Sequence, residues 1–206
     1  MAKFNDDELF LSYAKKAIGH EPLNIKIQKL DEKAVIPSYA HEGDVGMDLT
    51  AISVEYDREK DMYIYHTGLA VESDEHYGIF LFPRSSNRKT DAYLCNHVGI
   101  VDSAIYRGEI MLCFKNRTSL RQYALESRMV EFFNALEDGD SVEEATKESV
   151  KGWKNTFNNP MNFAPYQVGD RVAQMVVLPY PQVNIIETEN LSITERGTKG
   201  FGSTGN

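Results

Sequence analysis

Cys95-Asn96-His97-Val98-Gly99-Ile100-Val101-Asp102-Ser103-Ala104-Ile105-Tyr106-Arg107-Gly108-Glu109-Ile110, continuing into Met111-Leu112-Cys113-Phe114, is the stretch whose reading decides the fold. Apolar residues flank a turn-like centre that carries one carboxylate, one phenol and one guanidinium, so the pattern predicts two strands joined at a polar corner. Ile110, Leu112 and Phe114 alternate with Glu109, Met111 and Cys113, the period of a strand with one buried face. Gly99 and Gly108 allow close backbone approach where a side chain would block it. An ordinary hairpin explains this much as well as a site does, so the rest of the chain has to decide.

With 206 residues, 42% of them hydrophobic, the chain can bury a core in one domain plus additions. A formal charge of −9 argues against a nucleic-acid partner, because a duplex-binding surface needs a basic patch to displace phosphate counterions. A small phosphorylated ligand needs only a few local cations. The start Met1-Ala2-Lys3-Phe4-Asn5-Asp6-Asp7-Glu8 has no long apolar run, so neither a signal peptide nor a membrane span is expected, and the expected compartment is the cytoplasm. Cys95 and Cys113 lack metal-ligand spacing with the five histidines and read as strand residues carrying free thiols.

In chain order, Asn5 can cap a helix whose apolar residues Leu9, Phe10, Tyr13, Ala14, Ala17 and Ile18 fall at helical spacing. After the alternating Ile25 and Ile27, Asp48 sits between apolar neighbours on a strand. A carboxylate there is either a satisfied structural group or a ligand to a hard cation. Gly78-Ile79-Phe80-Leu81-Phe82 is an apolar strand ending at Pro83, followed by Arg84-Ser85-Ser86, whose guanidinium fork and hydroxyls suit phosphate oxygens. From Thr118 to about Pro165 the pattern turns helical. One helix carries Leu120, Tyr123, Ala124, Met129, Val130, Phe132, Phe133 and Leu136 as far as Asp138-Gly139-Asp140. A second starts at Ser141, with Glu144 as its capping-box partner, runs toward Trp153 and ends at Asn158-Asn159-Pro160. Gly169-Asp170 fits a tight turn before a strand, and Asp170 with Arg171 reads as an ordinary surface pair. At the end, Arg196-Gly197-Thr198-Lys199-Gly200-Phe201-Gly202-Ser203-Thr204-Gly205 sets an arginine and an aromatic among glycines, a combination that can wrap an anion and stack a base. It is not a P-loop, since no Lys-Ser or Lys-Thr pair opens a helix.

Together these stretches resemble, in order, the five motifs of the trimeric dUTP pyrophosphatases (dUTPases). Gly46-Met47-Asp48-Leu49 is similar to the first and Arg84-Ser85-Ser86 to the second. The stretch around Asp102 resembles the third, Gly169-Asp170-Arg171-Val172-Ala173-Gln174 the fourth, and the tail from Arg196 to Gly205 the fifth. The third departs from the family: Ser103-Ala104-Ile105 separates Asp102 from Tyr106 by one residue more than usual, and the family's second aspartate is missing. An extra residue suggests a bulge that re-aims the side chains downstream of Asp102.

The resemblance implies a homotrimer with active sites shared between subunits, and hydrolysis of dUTP to dUMP and pyrophosphate with Mg2+. By the same match, Asp102 orients and deprotonates the attacking water. Asn96 and the main chain of Val98, Gly99 and Ile100 read the uracil edge, and Tyr106 packs under the deoxyribose. Arg84, Ser85, Ser86 and Gln174 bind the phosphates, while Asp48 holds magnesium through water with direct ligands from the triphosphate. Arg196, Phe201, Gly202, Ser203 and Thr204 close over the bound nucleotide.

The expected fold is therefore all-β, a dUTPase-like jelly roll or barrel. Residues 1–22 form an N-terminal helical extension, 23–118 and 166–206 the β domain with a flexible arm from about 195, and 119–165 a helical insertion. Two rivals compete with this reading. dCTP deaminases resemble dUTPases in fold but place a catalytic glutamate at the position of Cys113, and a thiol cannot replace that acid-base group. The second rival is a regulatory binding protein that keeps the nucleotide as a switch and meets a protein partner at the insertion. An intact Asp102 and a complete tail favour catalysis.

Overall fold

Alternation of apolar and polar residues builds a β-sandwich. The structure, a computed structural model, describes residues 23–74, 76–195 and 197–198. The helix expected from Asn5 lies outside the described residues. The strands are β1 Lys26–Lys29, β2 Met47–Thr50, β3 Ser53–Asp57, β4 Met62–His66, β5 Leu69–Glu72, β6 Tyr77–Pro83, β7 Ala92–Leu94, β8 Gly99–Val101, β9 Met111–Asn116 and β10 Arg171–Pro179. All pairings among them are antiparallel: one four-stranded sheet runs β2-β10-β6-β8, a second β3-β4-β9-β7, and β1 pairs with β5. The described residues thus form a mostly β fold of the jelly-roll kind with a helical addition.

The inner faces meet in one core. Leu112 and Phe114 point inward from β9 and sit opposite Tyr65 and Tyr63 of β4, all four buried. Tyr65, Phe114 and Tyr166 pack edge to face with centroids 5.2 to 5.9 Å apart. Their polar tips are satisfied: the Tyr65 hydroxyl donates to the Tyr166 carbonyl at 2.9 Å, and the Tyr63 hydroxyl to the Pro160 carbonyl at 2.8 Å. On the central strand β10, Val172 and Ala173 are both buried although adjacent, because the register with β2 shifts between Arg171 and Ala173.

The quoted stretch does not fold as a hairpin. β8 pairs with β6 in the first sheet while β9 pairs with β4 and β7 in the second, so residues 102–110 cross from one sheet to the other. Nor is the extra residue a bulge. The N–H groups of Ile105 and Tyr106 both donate to the Asp102 carbonyl, at 2.9 and 2.7 Å, which winds Ser103-Ala104-Ile105 into a single helical-type turn.

Helices α1 Leu120–Glu137 and α2 Val142–Asn158 form an antiparallel pair packed on each other. Ser119 caps α1 by accepting from the Gln122 N–H at 3.2 Å, and Ser141 and Glu144 exchange capping-box bonds at the start of α2. The pair is tied to the sandwich at its two ends, through Leu120 N–H to Asp61 and through Arg58 to the Phe157 carbonyl. Leu125, Met129, Val130 and Phe133 of α1 stay exposed. So do Val183, Ile185, Ile186, Leu191 and Ile193 of the extended arm after β10. No helix among the described residues is long and apolar enough to cross a membrane.

Candidate functional site

Two clefts hold some of the residues singled out from the sequence. The first is built by the β2-β10-β6 ladder. Gln174 on β10 sits opposite Asp48 on β2 and Phe82 on β6, so the loop that leaves β6 at Pro83 brings Arg84 to the same end of the sheet. Asp48, only 15% exposed, gathers two guanidiniums: Arg84 donates through Nε to Oδ1 at 2.6 Å, and Arg171 through Nη1 to Oδ2 at 3.0 Å. Arg84 Nη1 donates onward to Ser86 Oγ at 3.3 Å and to the Arg171 carbonyl at 3.2 Å. Such charge-assisted bonds fix the arginines while leaving the cluster of Asp48, Arg84 and Arg171 with one net positive charge. Arg84, Ser85, Gln174, Gly46, Asp44 and His41 line a cleft of about 310 Å³. Gly46 leaves room for the Gln174 amide there: a Cβ on it would stand 2.8 Å from Gln174 Oε1.

The expected pair of Arg171 with Asp170 does not form. Asp170 accepts instead from the Gln167 N–H at 2.7 Å, and Arg171 crosses the sheet to Asp48. Arg171 lies in the stretch that resembles the fourth motif, but its bond to Asp48 at the cleft cannot be read from the sequence.

The second cleft lies at the sheet crossing. After β7, His97 adopts a left-handed φ of 59° that turns the chain at Asn96 into β8. Gly99 brings β8 close to Leu81 and to Asn96, whose Nδ2 would be 3.4 Å from an added Cβ. Asp102 is exposed at the head of the 102–106 turn, and with Ile100, Ile105, Tyr77, Phe80 and Tyr180 it lines a cleft of about 390 Å³. The turn is held from below. Ser103 is buried with its hydroxyl on Ser73 Oγ, and Ser73 donates to the Tyr77 carbonyl at 2.7 Å. From the side, Arg107 donates to the carbonyls of Ser103, Ala104 and Tyr106 at 2.9 to 3.0 Å and pairs with Glu72 at 2.9 Å. Lys26 and then Arg107 hold the Glu72 carboxyl below the usual carboxylate range. Of the partners that rigidify this loop, Arg107 lies in the stretch that resembles the third motif, whereas Ser73 carries no motif signal. Glu109 closes the crossing, accepting from the Gly68 N–H at 2.7 Å and contacting His66 Nδ1 at 3.0 Å.

The clefts share no lining residue: Asp48, Arg84, Ser85 and Gln174 line the first and Ile100 and Asp102 the second, while Ser86, Asn96, Val98, Gly99 and Tyr106 line neither. Arg196, Phe201, Gly202, Ser203 and Thr204 lie outside the described residues. Among the described residues no group of three or more His, Cys, Asp or Glu could hold a metal. The charge of Asp48 is already met by two guanidiniums, so the first cleft fits a polyanion, and a divalent cation only as that anion's companion. Cys113, the position a deaminase would need for its glutamate, carries a thiol pushed up by burial on the outer face of β9.

A family model described as dUTPase matches residues 32–123 and 156–205. Among curated proteins, the deoxyuridine 5'-triphosphate nucleotidohydrolase of Alkaliphilus metalliredigens is 32% identical over 88% of this chain and 97% of its own length. That of Nautilia profundicola is 32% identical over 89% and 99%. Among solved structures, a mutant dUTPase of Staphylococcus bacteriophage 80alpha with dUpNHpp superposes with a TM-score of 0.58 at 20% identity, covering 89% of this chain and 99% of that one. At that identity the likeness is one of fold.

Proposed function

This chain belongs to the dUTPase family and hydrolyses dUTP to dUMP and pyrophosphate, and we propose that it does so at a site assembled from the two clefts of different copies. The observation that carries the reading is the separation of the clefts: Arg84, Ser85 and Gln174, assigned to phosphate, line one, and Asp102, assigned to water activation, lines the other. The exposed apolar arm with Val183, Ile185 and Ile186 supports assembly, since such side chains need a cover. The expected assembly is a homotrimer in the cytoplasm.

In this reading Arg84 and Arg171, aimed by Asp48, meet the triphosphate together with Ser85, Ser86 and Gln174. Asn96 and the main chain from Val98 to Ile100 pair with uracil; a cytosine would leave those polar groups unmatched, which discriminates strongly. Tyr106 packs under the deoxyribose and excludes a 2′-hydroxyl. Asp102 accepts the proton of a water as its oxygen attacks the α-phosphorus, and pyrophosphate leaves on the opposite side. A magnesium ion arriving with the triphosphate would be met by Asp48 through water and would supply charge neutralisation for the leaving pyrophosphate. Arg196, Phe201, Gly202, Ser203 and Thr204 close the site. A second reading, a protein partner on the helical pair, is favoured by the exposed Leu125, Met129 and Phe133 and is compatible with the first.

The test is Asp102→Asn, which keeps the shape of the side chain but cannot take a proton. Turnover falls roughly 10²- to 10⁴-fold while the dissociation constant for dUTP stays put. Loss of binding equal to the loss of rate would make Asp102 structural.

A further inference from the structure

Cys95, the first residue after β7, stands opposite Cys113 of β9 where the antiparallel ladder ends. Leu94 pairs with Phe114, and one residue on, the Cys95 N–H donates to the Cys113 carbonyl at 2.8 Å. Residues opposite each other in such a ladder project to the same side with Cβ atoms about 4.5–5.5 Å apart. Both cysteines are reduced and half-buried on the outer face of the second sheet, away from the core that Leu94 and Phe114 fill. Burial holds both thiols above their ordinary value, so they rest as thiols. A disulfide asks for a Cβ separation of about 3.5–4.5 Å, so closing one here draws the two strands together by roughly an ångström and leaves the bond strained and readily reduced.

We infer that Cys95 and Cys113 are a reversible oxidation site that loosens the grip on the base. The oxidant class is a peroxide. One sulfur, in the minor thiolate form that its raised pKa leaves scarce and that makes the step slow, attacks the peroxide oxygen, forming a sulfenic acid and releasing water; the second sulfur displaces the hydroxyl as another water, so two thiols and one hydrogen peroxide give one disulfide and two waters. Two electrons pass from sulfur to oxygen. Cys95 directly precedes Asn96 and the left-handed turn at His97, so the movement needed to close the bond is delivered to the residue that reads uracil. The Asp102 turn is anchored separately by Ser73 and Arg107 and stays in place. Oxidation therefore raises KM for dUTP roughly tenfold and leaves kcat within about twofold, a split that rests on Asn96 reading the base as proposed for the site.

The experiment treats the full chain with hydrogen peroxide and follows intact mass, non-reducing electrophoresis and dUTP kinetics, before and after dithiothreitol. The expected product is a chain lighter by two hydrogens, unlinked to other chains, with raised KM restored by the reductant. Cys95→Ser and Cys113→Ser each abolish both the mass change and the KM shift. Added oxygen atoms, links between chains, or unchanged mass overturn the site, and these readouts need neither a variant nor substrate. A reversible disulfide with unchanged KM overturns its coupling to the base, provided Asn96→Ala, measured alongside, itself raises KM. If Asn96→Ala leaves KM unchanged, the assignment of Asn96 has failed; a reversible KM shift on oxidation still upholds the switch, and no shift overturns it.

Discussion

The ring of Tyr106 lies folded over the backbone of Gly108, so close that a Cβ on the glycine would stand 2.2 Å from the phenolic oxygen and 2.4 Å from Cζ. The hydroxyl donates to the Glu109 carbonyl at 3.2 Å. Glycine is needed here for room. Gly108→Ala displaces the ring, and preference for dUTP over UTP falls roughly tenfold in kcat/KM while thermal stability changes little. Unchanged discrimination would show that the ring does not police the sugar.

Asp48→Asn tests the arginine cluster. An amide offers one accepting oxygen where the carboxylate offers two, so Arg84 and Arg171 lose charge compensation and one loses its bond. Urea unfolding should report a loss of about 1–3 kcal/mol, and kcat/KM should fall with it. A variant as stable and active as the parent would show that the arginines are aimed by something else.

Excision of the helices separates accessory from structural parts. Residues 119–160 include the buried Leu120 and the Pro160 carbonyl that accepts from Tyr63, whereas 125–156 include neither. Replacing either range with a Gly-Ser linker leaves dUTP turnover largely intact, because no candidate site residue lies within it. The longer cut costs about 1–3 kcal/mol more in denaturant unfolding, for the orphaned hydroxyl and the lost apolar burial. Collapse of turnover in a soluble variant of the shorter cut would give the hairpin a place in the site.

Alkaline pH should unfold the protein from its tyrosines. Burial pushes the Tyr63 hydroxyl up to about 12, and Tyr65 and Tyr56 are raised by burial too. The raised folded value means that the stabilisation is complete below about pH 10, where an unfolded tyrosine titrates, and is lost as pH climbs from there through 12. Urea midpoints measured from pH 8 upward should stay level to about 10 and then drop. Tyr63→Phe should start lower at neutral pH, with the Pro160 carbonyl unpaired, and decline less steeply.

Much of this architecture is legible in the order of residues. Period-two alternation marks the buried face of β9, and Ser141, Glu144, Gly139 and Pro160 mark the ends of the helices because caps and breakers act locally. Partner choice between strands is not local. Alternation says which side of Ile110, Leu112 and Phe114 is buried, but not that β8 and β9 belong to different sheets. The Asp48–Arg171 pair joins residues 123 positions apart through the register of β2 on β10. For the extra residue before Tyr106, a bulge and a wound turn fit the same letters; the turn forms because Arg107 and Ser103 supply partners for its backbone and base. The motifs name the candidate residues, yet their order does not tell that Asp48, Arg84, Ser85 and Gln174 line one cleft and Asp102 another.

On the proposed assembly, catalysis is a collective property. A single chain carries parts of two sites and completes neither, so output rises faster than in proportion to the number of chains present. Dilution would then switch the protein off without unfolding it, and a damaged copy would spoil the two sites it touches in different ways, one through its arginines and the other through its carboxylate.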